Sequence, residues 1–421
     1  MGPVSVLVSV DEAALLARDQ PAQPWKQAFV CLLDRPVSRE QLIDRISERI
    51  DYAPRFRQKV TGWPLPDWSD DPTFLVSGHV KADSLASGVT LQQWLAARLA
   101  TPSDRAHPLW EAWLVEGAAG SLPALVVFSH PALTDGYDNV HLLQELFDEQ
   151  PTTIAPSRQA WTAAPPSGPS WTELAGRLGN PLQAAKDVGA GLTGLVENAV
   201  RGLSASGRAH HVAGVEVDLA TLRLIRQRHG CTTHDVLLAI ATAGVRGWLV
   251  DNGGVLADQV ALVPMAVTEP DLLGSAIGAR VAPQWIALPV TEPSPVARLA
   301  AIATLTQARE DTGLSVPAAE LRDLAGFAPP TLHSLAAGAV AAGRPHAVWI
   351  GNAPGPAEPR YLGQARVVGA YSLLATTDDQ RCTVSISSYR NRVTIGVTAR
   401  QEVRHFARDV SNELGALRAG E

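Results

Sequence analysis

The chain has 421 residues, 46% hydrophobic and 18% charged, with 35 Lys+Arg against 42 Asp+Glu and a net charge of −7. At about 150 residues per domain that length predicts two or three domains, and the composition excludes a disordered chain. The acidic balance excludes a protein-wide cationic field for nucleic acid or anionic lipid. The 3 cysteines are odd in number and far apart, so they support neither a disulfide framework nor a cysteine zinc site.

The opening stretch, MGPVSVLVSVDEAALLARDQ, has no cationic n-region, and Asp11 interrupts it early, so no signal peptide is expected. No run reaches the ~18 apolar residues of a membrane span. The nearest, 236–250, carries Arg246 and reads as a core helix. A soluble protein in a reducing, cytoplasmic setting is the expectation.

Residues 26–34 (KQAFVCLLD) predict a short apolar strand, and Ser38 caps the amphipathic helix that follows it. The segment TGWPLPDWSDDP, 61–72, reads as a loop that cannot hold a regular ladder. A helix is predicted over 90–99. PLWEAWLVEG (108–117) and LPALVVFSH (122–130) then form an antiparallel pair of strands, with Trp110 and Trp113 on opposite faces. Apolar residues at helical spacing predict a helix over 139–148.

Residues 150–171 are rich in Pro, Ser, Thr and Ala without periodicity and read as an interdomain crossover, followed by mostly helical sequence to about 205. The second half repeats the alternation. HHVAGVEVDL is a strand, and LATLRLIRQRHG is a helix ended by Gly230. THDVLLAIATAGVRGWLVDNGG is a longer helix. The late strands are DQVALVPMAV, APQWIALPV, HAVWIGNAP, RCTVSISSYR and RVTIGVTAR, and a helix closes the chain. The expected organisation is an α/β protein with an N-terminal domain over 1–150, a linker and helical crossover over 151–205, and a C-terminal domain over 206–421.

Motif chemistry is sparse. There is no HExxH or CxxC, so no metal is expected, and no Walker loop, GxSxG elbow or GxGxxG after a strand, so no cofactor is implied. His79, His229, His333 and His346 stand alone in polar or loop contexts and read as surface residues. His210-His211 reads as a solvated or packed pair. The informative segment is Phe128-Ser129-His130-Pro131-Ala132-Leu133-Thr134-Asp135-Gly136. An apolar strand runs into a histidine, an aspartate and a glycine that permits a tight turn. Taken alone, this is equally an ordinary strand-to-helix loop.

Five separated motifs, in order, make the chain resemble the bacterial wax ester synthase/diacylglycerol acyltransferases, within the chloramphenicol acetyltransferase-like and condensation-domain fold. They are APRFRQ at 53–58, DRAHPLWEAWLVEG at 104–117, HPALTDG at 130–136, TTHDVLLA at 232–239 and GNAPGPAEPRYLGQARVVG at 351–369. HPALTDG falls where the family carries HHxxxDG. The resemblance implies two sandwich domains with a tunnel between them, acyl-CoA entering from one face and an alcohol from the other. The second His of the motif would be the general base, for which a neutral imidazole is chemically apt. By the same resemblance His130 and Asp135 are the catalytic-motif residues, and Trp110, Gly136, His234 and Asn352 border substrate. Asp235, Pro354 and Gly355 hold the motif loops.

The chain departs from this pattern at the base. Its first His is matched by His130, but the second is Pro131, which has no proton-accepting side chain. Adjacent residues leaving a strand point to opposite faces, so His130 is expected to face away from the tunnel. Ala266, Thr268 and Ala279 also replace polar residues that the family carries, and His234-Asp235 stands where it usually reads Asn-Asp. Three readings follow: an acyltransferase working without its usual base, a cavity repurposed for a His-independent cyclisation or condensation on a polyketide- or lipid-like substrate, and a non-catalytic acyl-binding protein. Each takes a small-molecule or lipid-like partner and no nucleic acid, with membrane contact at most peripheral and apolar. Oligomeric state is not legible.

Overall fold

A computed structural model describes residues 5–8, 12, 16, 19–21, 23–61, 66–117, 122–133, 146–154, 210–268, 279–310, 348–353, 355–376 and 382–420. The N-terminal half runs β1 (Ser5–Leu7), β2 (Gln27–Leu33), α1 (Arg39–Arg49), β3 (Gln58–Thr61), β4 (Asp67–Asp70), β5 (Val80–Ser84), α2 (Leu91–Leu99), β6 (Trp110–Glu116) and β7 (Ala124–Ser129). The C-terminal half runs β8 (His211–Asp218), α3 (Leu219–His229), α4 (Thr233–Asp251), β9 (Gln259–Thr268), β10 (Ala279–Leu288) and α5 (Pro295–Glu310). It continues with β11 (Val348–Ala353), β12 (Tyr361–Leu362), β13 (Ala365–Leu374), β14 (Cys382–Tyr389), β15 (Arg392–Ala399) and α6 (Phe406–Ala419).

Local chemistry sets the helix starts. Ser38 and Gln41 form a capping box on α1, Thr90 and Gln93 on α2, and Thr232 and Asp235 on α4. Each satisfies two of the backbone N–H groups that a helix N-terminus leaves unpaired. Gly230 ends α3 in the left-handed conformation at φ 64°, where a side chain would be strained.

The strands assemble into two six-stranded sheets and a small three-stranded one. The first large sheet has the order β12-β13-β2-β7-β6-β5 and the second β10-β9-β11-β14-β15-β8. β7, AlaLeuValValPheSer, is buried along its whole length, as expected of a central strand covered on both faces. α3, α4, α5 and α6 pack on one another and on the second sheet around a core that includes Val236, Ile240, Val384, Ile395 and Phe406.

Two elements depart from expectation. Asp67–Asp70, assigned above to a loop, is a strand that pairs with Gln58–Thr61 and with Ser5–Leu7, because its prolines lie outside the paired run. The segment 365–374, read only as part of a motif, is β13. It lies antiparallel to β2, with Ala370 opposite Cys31 and Leu374 opposite Gln27. The expected C-terminal unit, 206–421, therefore lends Tyr361–Leu374 to the sheet of the N-terminal half.

That crossing ties the halves together. Ser372 on β13 donates its N–H to Ser387 Oγ on β14 at 3.1 Å, and the two hydroxyls lie 2.9 Å apart. Tyr389 donates its O–H to the Val367 carbonyl and accepts the Arg360 N–H, both at 3.0 Å. Trp349 and Tyr389, from the second half, are buried in the apolar core of the first. Residues 139–145 of the predicted helix and 155–209 of the predicted crossover lie outside the described residues.

Candidate active site

β7 delivers the motif. After Ser129 the chain leaves the sheet, with the His130 N–H donated to the Leu109 carbonyl at 2.9 Å, and Pro131–Leu133 form a 3₁₀ turn. A proline opens such a turn without loss, since its missing N–H would have no partner in the first turn. Pro131, Ala132 and Leu133 are all buried.

The His130 side chain is 0% exposed. Its Nδ1 accepts the Ala132 N–H at 3.0 Å, which places the imidazole proton on Nε2. Nε2 lies 3.9 Å from the Asp19 carboxylate, too far for a hydrogen bond, and has no acceptor among the described residues. Burial, with the nearby charges of Arg105 and Lys26, pushes the His130 pKa down to about 3. Asp19 accepts the Trp25 N–H at 2.7 Å and burial raises its pKa. His130 is thus a neutral imidazole enclosed against the N-terminal segment.

Beside this turn opens a cavity of about 450 Å³, reached by Ser129 and lined by Lys26, Phe74, Leu109, Trp110 and Phe128, with His79, His107 and Glu111. Trp110, expected to border substrate, lies in this wall. Its Nε1 donates to the Phe56 carbonyl at 2.7 Å, and its ring stacks on His79 at 4.6 Å. Trp113 packs elsewhere, edge-on to Trp94 on α2 with the Arg98 guanidinium 3.9 Å from its ring centre. His79 corrects the reading of an isolated surface histidine. It is buried, its Nδ1 is 2.8 Å from the Trp110 carbonyl, and burial lowers its pKa.

His234, Asp235, Asn352 and Gly355 sit in the second half, and none of these four lines this cavity. His234 occupies the first turn of α4; its Nε2 is buried without a hydrogen bond among the described residues, and burial lowers its pKa. Asp235 accepts the Thr232 N–H at 2.8 Å and the Thr306 hydroxyl at 2.6 Å, so it caps α4 and latches it to α5. Asn352 is on β11, opposite Ile386 of β14. Gly355 donates its N–H to Ser388 Oγ at 3.0 Å, and a Cβ on it would collide with the Ser388 carbonyl oxygen, so this close approach requires glycine. Asp135, Gly136 and Pro354 lie outside the described residues, as do His333 and His346. Among the described residues no three His, Cys, Asp or Glu side chains gather as a metal site, and no helix is long and apolar enough to cross a membrane.

Residues 7–213 match the wax ester synthase/diacylglycerol acyltransferase catalytic domain, and residues 277–418 match the C-terminal domain of the same family. The chain belongs to that family. A Mycobacterium tuberculosis (H37Rv) protein provisionally named a diacylglycerol O-acyltransferase is 28% identical over 396 residues, covering 84% of this chain and 82% of its own length. The wax ester synthase/diacylglycerol acyltransferase of Marinobacter aquaeolei VT8 superposes with a TM-score of 0.66 at 19% identity, covering 99% of each chain. A mutant starter condensation domain of rhizomide synthetase, in complex with C8-CoA and Leu-SNAC, superposes with a TM-score of 0.51 at 12% identity over 99% of this chain and 94% of that one. Both structural likenesses speak to the fold, and they place this wax ester synthase-family chain among the condensation-domain, chloramphenicol acetyltransferase-like folds.

Sequence reasoning missed Asp19, Lys26 and Arg105, which surround His130 from outside the motif. Arg105 ties down the N-terminal segment by donating to the Leu16 carbonyl at 2.7 Å and to the Asp19 carbonyl. The only prior signal was a lysine opening the apolar run of β2, which reads equally as a solvated strand end.

The buried neutral histidines make stability pH-dependent. His130 and His210 have folded pKa values of about 3 and about 4, below the ordinary 6.5. Above pH 6.5 neither state is protonated there. As pH falls, the unfolded chain takes up protons that the folded one refuses, so stability declines from about pH 6.5 downward, by up to about 1.4 kcal/mol per pH unit for each such group. Urea midpoints between pH 7 and 4.5 are expected to fall less steeply for His130→Asn than for the native chain. An unchanged slope would contradict the burial of a neutral His130.

Proposed function

We propose that this protein is an O-acyltransferase that moves an acyl group from an acyl-CoA thioester to the hydroxyl of a fatty alcohol or diacylglycerol without an imidazole base. One observation carries this reading. The base position is Pro131, and the neighbouring His130 is enclosed against Asp19, while Asp235 and Gly355 keep their tight structural contacts. The scaffold that would hold two substrates is retained and the proton acceptor is not. The family match over both halves and the names of the mycobacterial relatives support the substrate class. That a mutant condensation domain of this fold was captured with C8-CoA favours an acyl thioester as donor.

In the proposed reaction the acceptor oxygen attacks the thioester carbonyl, the carbon–sulfur bond breaks, and the hydroxyl proton passes to the departing thiolate. Juxtaposition of two bound substrates can supply several kcal/mol of barrier lowering. A positioned base adds about 10²–10⁴-fold, which this chain forgoes. The test incubates purified protein with long-chain acyl-CoA and either acceptor and follows ester by mass spectrometry. Slow ester formation above the protein-free control is expected, unchanged by His130→Ala. Loss of turnover in that variant with its fold intact would make His130 the base after all. No ester from the native chain would leave the His-independent cyclisation or condensation, or acyl binding alone, as the surviving readings.

A further inference from the structure

Lys26 is a cation without a counter-ion. It sits immediately before β2, where its carbonyl accepts the Ala375 N–H at 2.8 Å, and its side chain is 6% exposed in the wall of the 450 Å³ cavity. Among the described residues its ammonium makes no hydrogen bond and no ion pair. The carboxylates that attract it are engaged elsewhere. Glu111 is held by Lys81 at 2.6 Å and by Trp113 Nε1 at 3.0 Å, and Asp19 accepts the Trp25 N–H. A buried ammonium left in this state carries an uncompensated desolvation cost, which an arriving anion would offset.

The other charged groups of the lining are Lys81 and Glu111, which pair with each other, and Asp104. Phe74, Leu109, Trp110 and Phe128 give it apolar walls, and Leu75, 69% exposed, stands at its rim. Ser129 accepts a hydrogen bond from Gln27 Nε2 at 2.7 Å, on the sheet face opposite the Lys26 side chain. A volume of 450 Å³ suits a small ligand. With Lys81 paired to Glu111, Lys26 is, among the described residues, the lining cation left without a partner, and one unpaired ammonium beside an apolar wall matches a single carboxylate on an aliphatic body. A phosphate would call for more positive charge, and a cationic ligand would meet Lys26 head-on.

We propose that this cavity binds a free carboxylate-headed aliphatic molecule, such as a medium-chain fatty acid, with its carboxylate on the Lys26 ammonium. The site does not depend on acyl transfer and stands whether or not the reaction above occurs. Titration calorimetry on the full chain with decanoate, decanol and decylamine tests it. Decanoate is expected to bind at least about tenfold more tightly than decanol, the ratio of a charge-assisted hydrogen bond, and decylamine not at all. Lys26→Met is expected to remove the preference for decanoate over decanol, and Lys26→Arg to keep it, with thermal transitions confirming that both fold. Decanoyl-CoA has no free carboxylate, so its affinity should not change in Lys26→Met. Equal binding of decanoate and decanol by the native chain would overturn the proposal, and that result needs no variant. So would decanoate binding that survives Lys26→Met, or parallel weakening of decanoyl-CoA.

Discussion

Pro131→His is expected to raise the kcat/KM for ester formation by about 10²–10⁴-fold, the usual contribution of a positioned general base. The turn that carries position 131 does not depend on proline. Its closing hydrogen bond runs from the Leu133 N–H to the His130 carbonyl at 3.0 Å and involves neither ring nor nitrogen of Pro131. A histidine there gains a backbone N–H in the first turn of a 3₁₀ segment, where no internal partner is needed. The new imidazole would enter a buried environment, which favours the neutral form, as it does for His130. A neutral imidazole is the form a general base requires at pH 7. Pro131→Ala is the control: it removes the ring without supplying a base and should leave the native rate unchanged. An active Pro131→His variant beside a native chain with no turnover would show that the native scaffold performs some other task. No gain in the variant would mean that the surroundings of the base, and not the base alone, have changed.

What was legible in the sequence follows from the range of the interactions involved. Capped helices are local objects, and Ser38 and Gly230 mark their ends through bonds to residues a few positions away. Strands such as β6 and β7 are legible because both faces are covered, so their apolar runs are nearly continuous. β13 was not. Its burial alternates with exposed Arg366 and Val368 and shifts register at Gly369, and what holds it is β2, more than 330 residues earlier in the chain. A pattern that weak becomes a strand only through its long-range partner.

The candidate site divides along the same line. The motif loop 128–136 was found because a spacing can be read. The replacement of a base by Pro131 was legible because it is a single residue type. The surroundings of His130 were not legible, because Asp19, Lys26 and Arg105 reach it from three separate segments. Lys26 illustrates the difficulty most plainly. In sequence it is the polar end of a strand. Its burial comes from its place among Phe128, Leu109 and Trp110, residues more than 80 positions away.

Severing the Arg298–Glu413 pair is expected to cost about 3–5 kcal/mol of stability. Arg298 on α5 is 3% exposed and Glu413 on α6 is 4% exposed. The guanidinium donates through Nε and Nη2 to the two carboxylate oxygens, at 3.0 and 2.9 Å, and through Nη1 to the Glu292 carbonyl at 2.6 Å. Arg298→Met leaves Glu413 buried without its main partner. Burial already raises the Glu413 pKa, against the pull of Arg298. A carboxyl whose folded pKa lies above its unfolded value destabilises the fold when ionised, so the deficit of Arg298→Met should grow from pH 5 to pH 8 and shrink as Glu413 takes up a proton. The double variant Arg298→Met/Glu413→Leu removes both charges and should recover most of the loss, since apolar replacements of buried pairs are often neutral. Urea midpoints for the native chain, both single variants and the double variant close the cycle. A double variant as unstable as Arg298→Met would show that packing, not the stranded charge, sets the cost. Because the pair lies in the helical layer of the second half, decanoate binding at Lys26 should survive in every variant that remains folded. That separates the stability of the scaffold from the chemistry of the cavity it supports.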